Sequence, residues 1–232
     1  MTGAAIPIPP AQIEPVIHAL EPILPSVLVI GGWAHHLHRE HPLAHPSNEE
    51  ALQTLDLDVA LDAAASAAKN LDLVDRFRSA GFEYEHTGTE LLESGQFRSR
   101  NDRTFTVQLL TARRGSGTRR DGTSIRSLRI GGTPVEVLRG LDLLEADPWR
   151  ARWQSATGTA YALAVCHPTA FLLGKLLLTR TQSRPSRRRA KDLLYVVDTL
   201  RLFSDRWEDL LREAPSLPAR PSTALGRDPG GM

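Results

Sequence analysis

Cysteine is almost missing from this chain. Cys166 is its only one in 232 residues, which excludes an internal disulfide framework and any zinc site built from several cysteines, and fits a reducing cytoplasm. Aromatic side chains make up 6% of the sequence, too few to suggest a stacking platform that reads bases one by one. A strong charge of either sign is lacking too: the formal net charge is +1, so no global field advertises a polyanion partner, and any such contact has to be local. No run approaches the ~18 apolar residues of a membrane span. The opening MTGAAIPIPP shows no basic stretch followed by an apolar one, as a secretory leader would.

What is present can fold. At 41% hydrophobic the chain can fill an ordinary core as one large or two small domains. Residues 1–10 and 213–232, rich in proline, serine and small residues, read as loose tails. AQIEPVIHAL reads as a short helix, SVLVIGG as a buried strand running into a glycine turn, and WAHHLHREH as the start of a second helix. In TLDLDVALD, Leu55, Leu57, Val59 and Leu61 alternate with Thr54, Asp56, Asp58 and Ala60, the period of a strand. Residues 63–80 have helical composition, FEYEHTG, SGQFRSR and RTFTVQLLT suggest further strands, and ARRGSGTRRDGTS reads as an exposed basic loop. After Pro148 the composition shifts: PTAFLLGKLLLTR and RRRAKDLLYVVDTLRLF are helical in period. The expected division is a domain at 11–150 and a helical lobe at 158–212.

Asp56 and Asp58 stand two apart on their strand, so both side chains leave one face with their Cα atoms ~7 Å apart. Carboxylates so placed can converge on one magnesium or straddle two, as phosphoryl and nucleotidyl transfer require. An isolated D-x-D is more often the polar edge of an amphipathic strand. Here, however, two like charges on one strand face repel unless a cation lies between them. Upstream, Gly31 and Gly32 end an apolar strand where a missing Cβ lets the backbone approach a phosphate. Lys175 has helical neighbours Phe171, Leu172, Leu178 and Thr179; a lysine emerging from an apolar surface either holds phosphate oxygens or snorkels to solvent.

Taken together, VIGGWAHHLH followed by TLDLDVAL resembles the nucleotide site of the DNA polymerase β-like nucleotidyltransferase superfamily: apolar strand, Gly-Gly or Gly-Ser, helix, then an acidic pair on the next strand. Residues 33–55 make a longer interval than minimal members have, and REHPLAHPSNEE would be the insertion. GKLLLTR and AKDLLYVVD are similar to the C-terminal helical motifs of AbiEii-type and related bacterial nucleotidyltransferases. The resemblance spans residues 24–203, carried by four short motifs. It implies an α+β fold, a mixed sheet flanked by helices and followed by a C-terminal helical lobe. It implies Mg2+ or Mn2+ at Asp56 and Asp58, a nucleoside triphosphate held by Gly31, Gly32, Lys175 and Arg180, and an Asp192 that helps deprotonate the acceptor or positions its hydroxyl. The structural alternative for Asp192 is an ion pair with Arg188 or Arg189 at helical spacing.

The sequence departs from the superfamily pattern at the third carboxylate. The position that corresponds by order and flanking pattern is Gln108, whose amide cannot serve as an anionic ligand. Glu136, in TPVEVLRG, has the local form but is expected beyond the catalytic strand. The acceptor implied is an RNA, with tRNA 3′ ends favoured by analogy with toxin members, held through Arg184, Arg187, Arg188, Arg189 and Lys191 and accompanied by an antitoxin partner. Two other readings stay open: a nucleotide-binding module that lost turnover, and an enzyme modifying a small molecule or a protein hydroxyl. The histidine-rich stretch at His35, His36, His38, His41 and His45 lacks partners at metal-ligand spacing, and one or two of its members are expected to line the entrance to the nucleotide site. Cys166 is expected to be a buried structural thiol.

Overall fold

The computed structural model describes residues 10–45, 52, 54–62, 65, 71–87, 94–113, 115, 117–118, 122–123, 125–180 and 185–214. The tails expected at 1–10 and 213–232 lie almost wholly outside the described residues, as do residues 63–64 and 66–70 of the helix expected at 63–80 and parts of the basic loop. Helix α1 (Pro10–Leu20) leads into strand β1 (Val27–Ile30), helix α2 (Gly31–Leu37) and strand β2 (Asp56–Leu61). Then come α3 (Leu73–Ser79), β3 (Phe82–Thr87), β4 (Ser94–Ser99), β5 (Thr106–Ala112), β6 (Ser127–Ile130), β7 (Thr133–Leu138) and α4 (Asp142–Glu145). The chain continues through β8 (Trp149–Gln154), β9 (Ala160–Val165), α5 (Pro168–Thr179), α6 (Ser186–Leu202) and α7 (Trp207–Glu213). This is an α+β architecture with a mixed sheet and a C-terminal group of helices.

The sheet runs β3-β4-β5-β2-β1-β9-β8, with β7 lying against β5 and β6 against β7. Strands β1 and β2 are antiparallel, β2 and β5 parallel, and β5 and β7 parallel. Its two faces differ in chemistry because the strands alternate. Leu57, Val59, Val107, Leu109 and Phe97 point to the back and are buried. There α1 packs Ile13, Val16, Ile17 and Leu20 against Val29, Leu57 and Val59, and α3 stacks Phe77 on Phe97 at 4.0 Å between ring centroids. Each such side chain contributes roughly 1.5–3 kcal/mol by leaving water. The polar residues are thereby turned to the front.

One expectation needs correction. A helical lobe starting at 158 is replaced by a β-hairpin: β8 and β9 pair along their length, and β9 lies parallel to β1 in the main sheet. The sheet therefore runs to Val165 and the terminal helices begin at Pro168. The signal was weak because WRARWQ and AYALAV are short and flank a loop whose serine, threonine and glycine composition mimics a linker. Helix α6 buries a partly polar face. Its apolar residues Leu193, Leu194, Val197 and Leu200 are exposed, while Asp192, Tyr195, Val196, Thr199 and Leu202 are buried. The face turned into the molecule is thus the one that carries a carboxylate and a phenol.

Candidate nucleotidyl-transfer site

Residues paired across a ladder share a side of the sheet, so the register draws the front face row by row. One row runs Ile30, Asp58, Gln108, Gln96 and Glu85 across β1, β2, β5, β4 and β3. The next runs Asp56, Thr106, Arg98 and Glu83. Thr106 donates its hydroxyl to Asp56 Oδ1 at 2.8 Å, which fixes one carboxylate oxygen and leaves the other available. Arg98 is held by Glu85, donating from Nε at 2.7 Å. That contact, with Gln96 donating as well, holds the Glu85 carboxyl down at about 2.

Gly31 sits where β1 turns into α2, with φ +65. A left-handed backbone favours glycine, and the surroundings demand it: a Cβ built there would overlap Asp58 Oδ2. A Cβ at Gly32 would meet the Tyr195 hydroxyl and Thr54. The glycine pair therefore does two jobs. Gly31 lets the aspartate strand close up to the turn, and Gly32 lets α6 close down on it.

The terminal helices complete the site from above. Lys175 on α5 donates from Nζ to Asp192 Oδ1 on α6 at 3.1 Å, with side-chain exposures of 15% and 3%. The ammonium lies 5.4 Å from the Phe171 ring centroid and 5.0 Å from that of Tyr195, favourable cation–π geometry. Burial pushes the Asp58 carboxyl up to about 6. The Lys175 and Lys191 ammonium groups oppose the rise, and Asp56 and Glu136 add to it. These five charged groups thus share one electrostatic neighbourhood. Burial also pushes the Tyr195 phenol up to about 12, so it stays a neutral hydroxyl at physiological pH.

The structure therefore brings together Gly31, Gly32, Asp56, Asp58, Lys175 and Asp192. Asp192 makes an ion pair across to Lys175 on α5. Arg180 caps α5 and is exposed. Lys191, expected in an RNA-contacting cluster, has its Nζ 5.8 Å from the Tyr195 ring centroid and acts on Asp58. Arg187, Arg188 and Arg189 are exposed on the first turns of α6, and Arg184 lies outside the described residues. Thr106 and Tyr195 were missed. Thr106 is two residues before Gln108 and so on its face, which the strand period would have revealed; no sequence signal marks Tyr195. Glu136, expected beyond the catalytic strand, lies on a strand that pairs with β5.

His35, His38 and His41 are buried against rings of the terminal helical part, and His35 reaches Tyr195. His35 stacks on Phe171 and contacts Tyr195, and its Nε2 lies 3.1 Å from Asp198. His38 donates from Nε2 to the Cys166 carbonyl at 2.8 Å, and burial holds its pKa well below the usual value. His41, His167 and Glu213 converge within 4.8 Å. In both imidazoles Nδ1 accepts a backbone N–H, from Leu43 and from Thr169. Nε2 is then the protonated nitrogen, suited to a carboxylate rather than a metal. Cys166 is fully buried and its thiol is pushed up to about 12, an inert structural group.

Strand β1 ends in a glycine turn into α2, its antiparallel neighbour β2 carries two aspartates beside that turn, and Lys175 acts electrostatically on Asp58. The chain belongs to a nucleotidyltransferase family, whose model matches residues 15–217. No curated protein and no solved structure matches it. Membership carries the general activity, transfer of a nucleoside monophosphate from a nucleoside triphosphate. Among the described residues no helix is long and apolar enough to cross a membrane.

Proposed function

We propose that the protein is a divalent-metal-dependent nucleotidyltransferase in which Asp56 and Asp58 hold Mg2+ or Mn2+ and an RNA hydroxyl is the acceptor. The observation that carries this reading is the state of Asp58: a carboxylate pushed up to about 6 by burial beside a second carboxylate, in contact distance of a turn that only glycine fits. Neither aspartate has an ion pair among the described residues, so a cation of matching charge is what the pair lacks. The residues fit a hard, oxygen-seeking ion. When bound, it would neutralise charge on the phosphates and orient them for in-line displacement.

The chain's own groups supply the rest. Gly31 and Gly32 allow the backbone to approach the triphosphate. Lys175 presents an ammonium to its phosphates as a point charge, and Asp192 is a positioning residue that fixes that ammonium. The acceptor hydroxyl oxygen bonds to the α-phosphorus, the bond from that phosphorus to the oxygen bridging to the β-phosphate breaks, and pyrophosphate leaves. The hydroxyl proton passes to a carboxylate of the front face. Most of the rate comes from positioning and charge neutralisation.

The exposed Arg187, Arg188 and Arg189 favour a polyanionic acceptor, with a tRNA 3′ end as the first candidate and an antitoxin-like protein as a partner to seek. The experiment follows an α-labelled triphosphate with Mg2+ into total RNA, hydroxylated small molecules or the protein itself. Label in RNA, weakened steeply by salt and by charge removal at Arg187–Arg189, supports the reading. Label confined to small molecules or to protein contradicts the RNA acceptor.

A further inference from the structure

The polar front face holds a third carboxylate from a strand outside the D-x-D ladder. On β5 the position directly beside Asp58 is Gln108, which cannot supply an anion. One strand further out, β7 pairs parallel with β5 so that Glu136 stands opposite Leu110. Leu110 is two residues on from Gln108, so Glu136 shares its side of the sheet. The glutamate leans back along β5, and Gln108 Nε2 donates to Glu136 Oε2 at 2.6 Å. The carboxylate is thereby drawn to the place that the Gln108 side chain occupies, in the row of Asp58.

Two further observations separate this from an ordinary link between strands. Glu136 is half-buried, yet no lysine, arginine or histidine pairs with it among the described residues. Elsewhere on the same face, carboxylates are neutralised: Glu85 has Arg98, and Glu83 has Arg103 at 2.7 Å. Asp56, Asp58 and Glu136 are the acidic groups of these rows that make no ion pair among the described residues. Gathering three unpaired carboxylates on one side of a sheet is unfavourable unless an ion is to be bound between them. Glu136 also acts on Asp58 as a like charge.

We propose that Glu136 is the third metal-holding carboxylate of this site, supplied from β7 in place of the residue at 108, and that Gln108 is the positioning residue that draws it in. The inference rests on the reading of Asp56 and Asp58 given above. It recasts the amide at 108: the anion has moved one strand over, and the amide is its holder.

Mn2+ binding to the full chain, followed by electron paramagnetic resonance with a non-hydrolysable methylene-bridged triphosphate present, tests this without needing the acceptor. Glu136→Gln is expected to weaken Mn2+ at least ~10-fold, and Asp58→Asn at least as much. The exchange variant Gln108→Glu/Glu136→Gln keeps an amide and a carboxylate facing each other while moving the charge onto β5, and is expected to restore binding to within ~3-fold. Label transfer should follow the same order. If Glu136→Gln binds Mn2+ like the wild type while Asp58→Asn does not, Glu136 is only a link between strands and the functional reading stands. If Asp58→Asn also leaves binding unchanged, both fail. Should Glu136→Gln fold poorly by thermal unfolding, the exchange variant decides: folded but no tighter for Mn2+ than Asp58→Asn, it overturns the proposal.

Discussion

Lys175 Nζ and Asp192 Oδ1 lie 3.1 Å apart across two helices, almost sealed from solvent, with the ammonium over the Tyr195 ring. A buried ion pair contributes little net stability, but losing one member strands the other charge. The partner face of α6 is therefore tied to the site: α6 holds Asp192, Asp192 holds the ammonium, and the ammonium faces Asp58.

Asp192→Asn is expected to destabilise the protein by about 3 kcal/mol and to weaken triphosphate binding at least ~10-fold. Lys175→Met should weaken binding at least as much. The double variant should recover a good part of the lost stability and none of the binding. Urea unfolding and equilibrium dialysis with labelled triphosphate measure both. Independent, additive stability losses would show that the two residues do not act as a unit.

Gly31→Ala places a methyl on a left-handed backbone and against Asp58 Oδ2. The backbone term alone costs roughly 1–2 kcal/mol, and the clash displaces the aspartate. Mn2+ affinity is expected to fall with stability, whereas Gly140→Ala, also at positive φ (φ 75) but with nothing within 4 Å, should lose stability only. Calorimetric Mn2+ titration separates the two.

Asp58 makes a prediction about pH. Its folded carboxyl is raised to about 6 from an ordinary 3.8, so its contribution favours the folded state fully below 3.8 and is lost as pH rises through 6. At pH 7 the ionised group therefore costs stability, about 1–2 kcal/mol after allowing for its partial exposure. Asp58→Asn should raise the metal-free unfolding midpoint at pH 7 and show less of that gain at pH 4. Mg2+ should stabilise the wild type and not the variant. A lower midpoint for Asp58→Asn at pH 7 would contradict the electrostatic account.

Much of this was legible in the sequence, for a physical reason. A strict two-residue period fixes which side chains share a face, so Asp56 and Asp58 could be placed together without coordinates, and the family resemblance set them beside the glycine turn. The long helical periods of α5 and α6 were equally plain. What could not be read was long-range register. Glu136 was noticed, but no local pattern says which strand β7 joins; only the β5–β7 pairing puts it beside Gln108. The helical period of α6 did not tell its buried face: Leu193 and Leu194 face outward while Asp192 goes in and pairs with Lys175. Within the histidine stretch, His38 and His41 are buried with backbone partners and burial lowers their pKa, so they pack as core groups.

Transfer of an α-labelled nucleotide tests the central claim most directly. The wild-type chain is incubated with Mg2+, each of the four labelled triphosphates and total RNA, beside Asp58→Asn and a metal-free control. The expected result is label in an acceptor with equal release of pyrophosphate, reduced at least ~100-fold in the variant and absent without metal. Transfer that persists in Asp58→Asn, or a wild-type protein that neither binds a triphosphate with Mg2+ nor passes label to any acceptor, would contradict it.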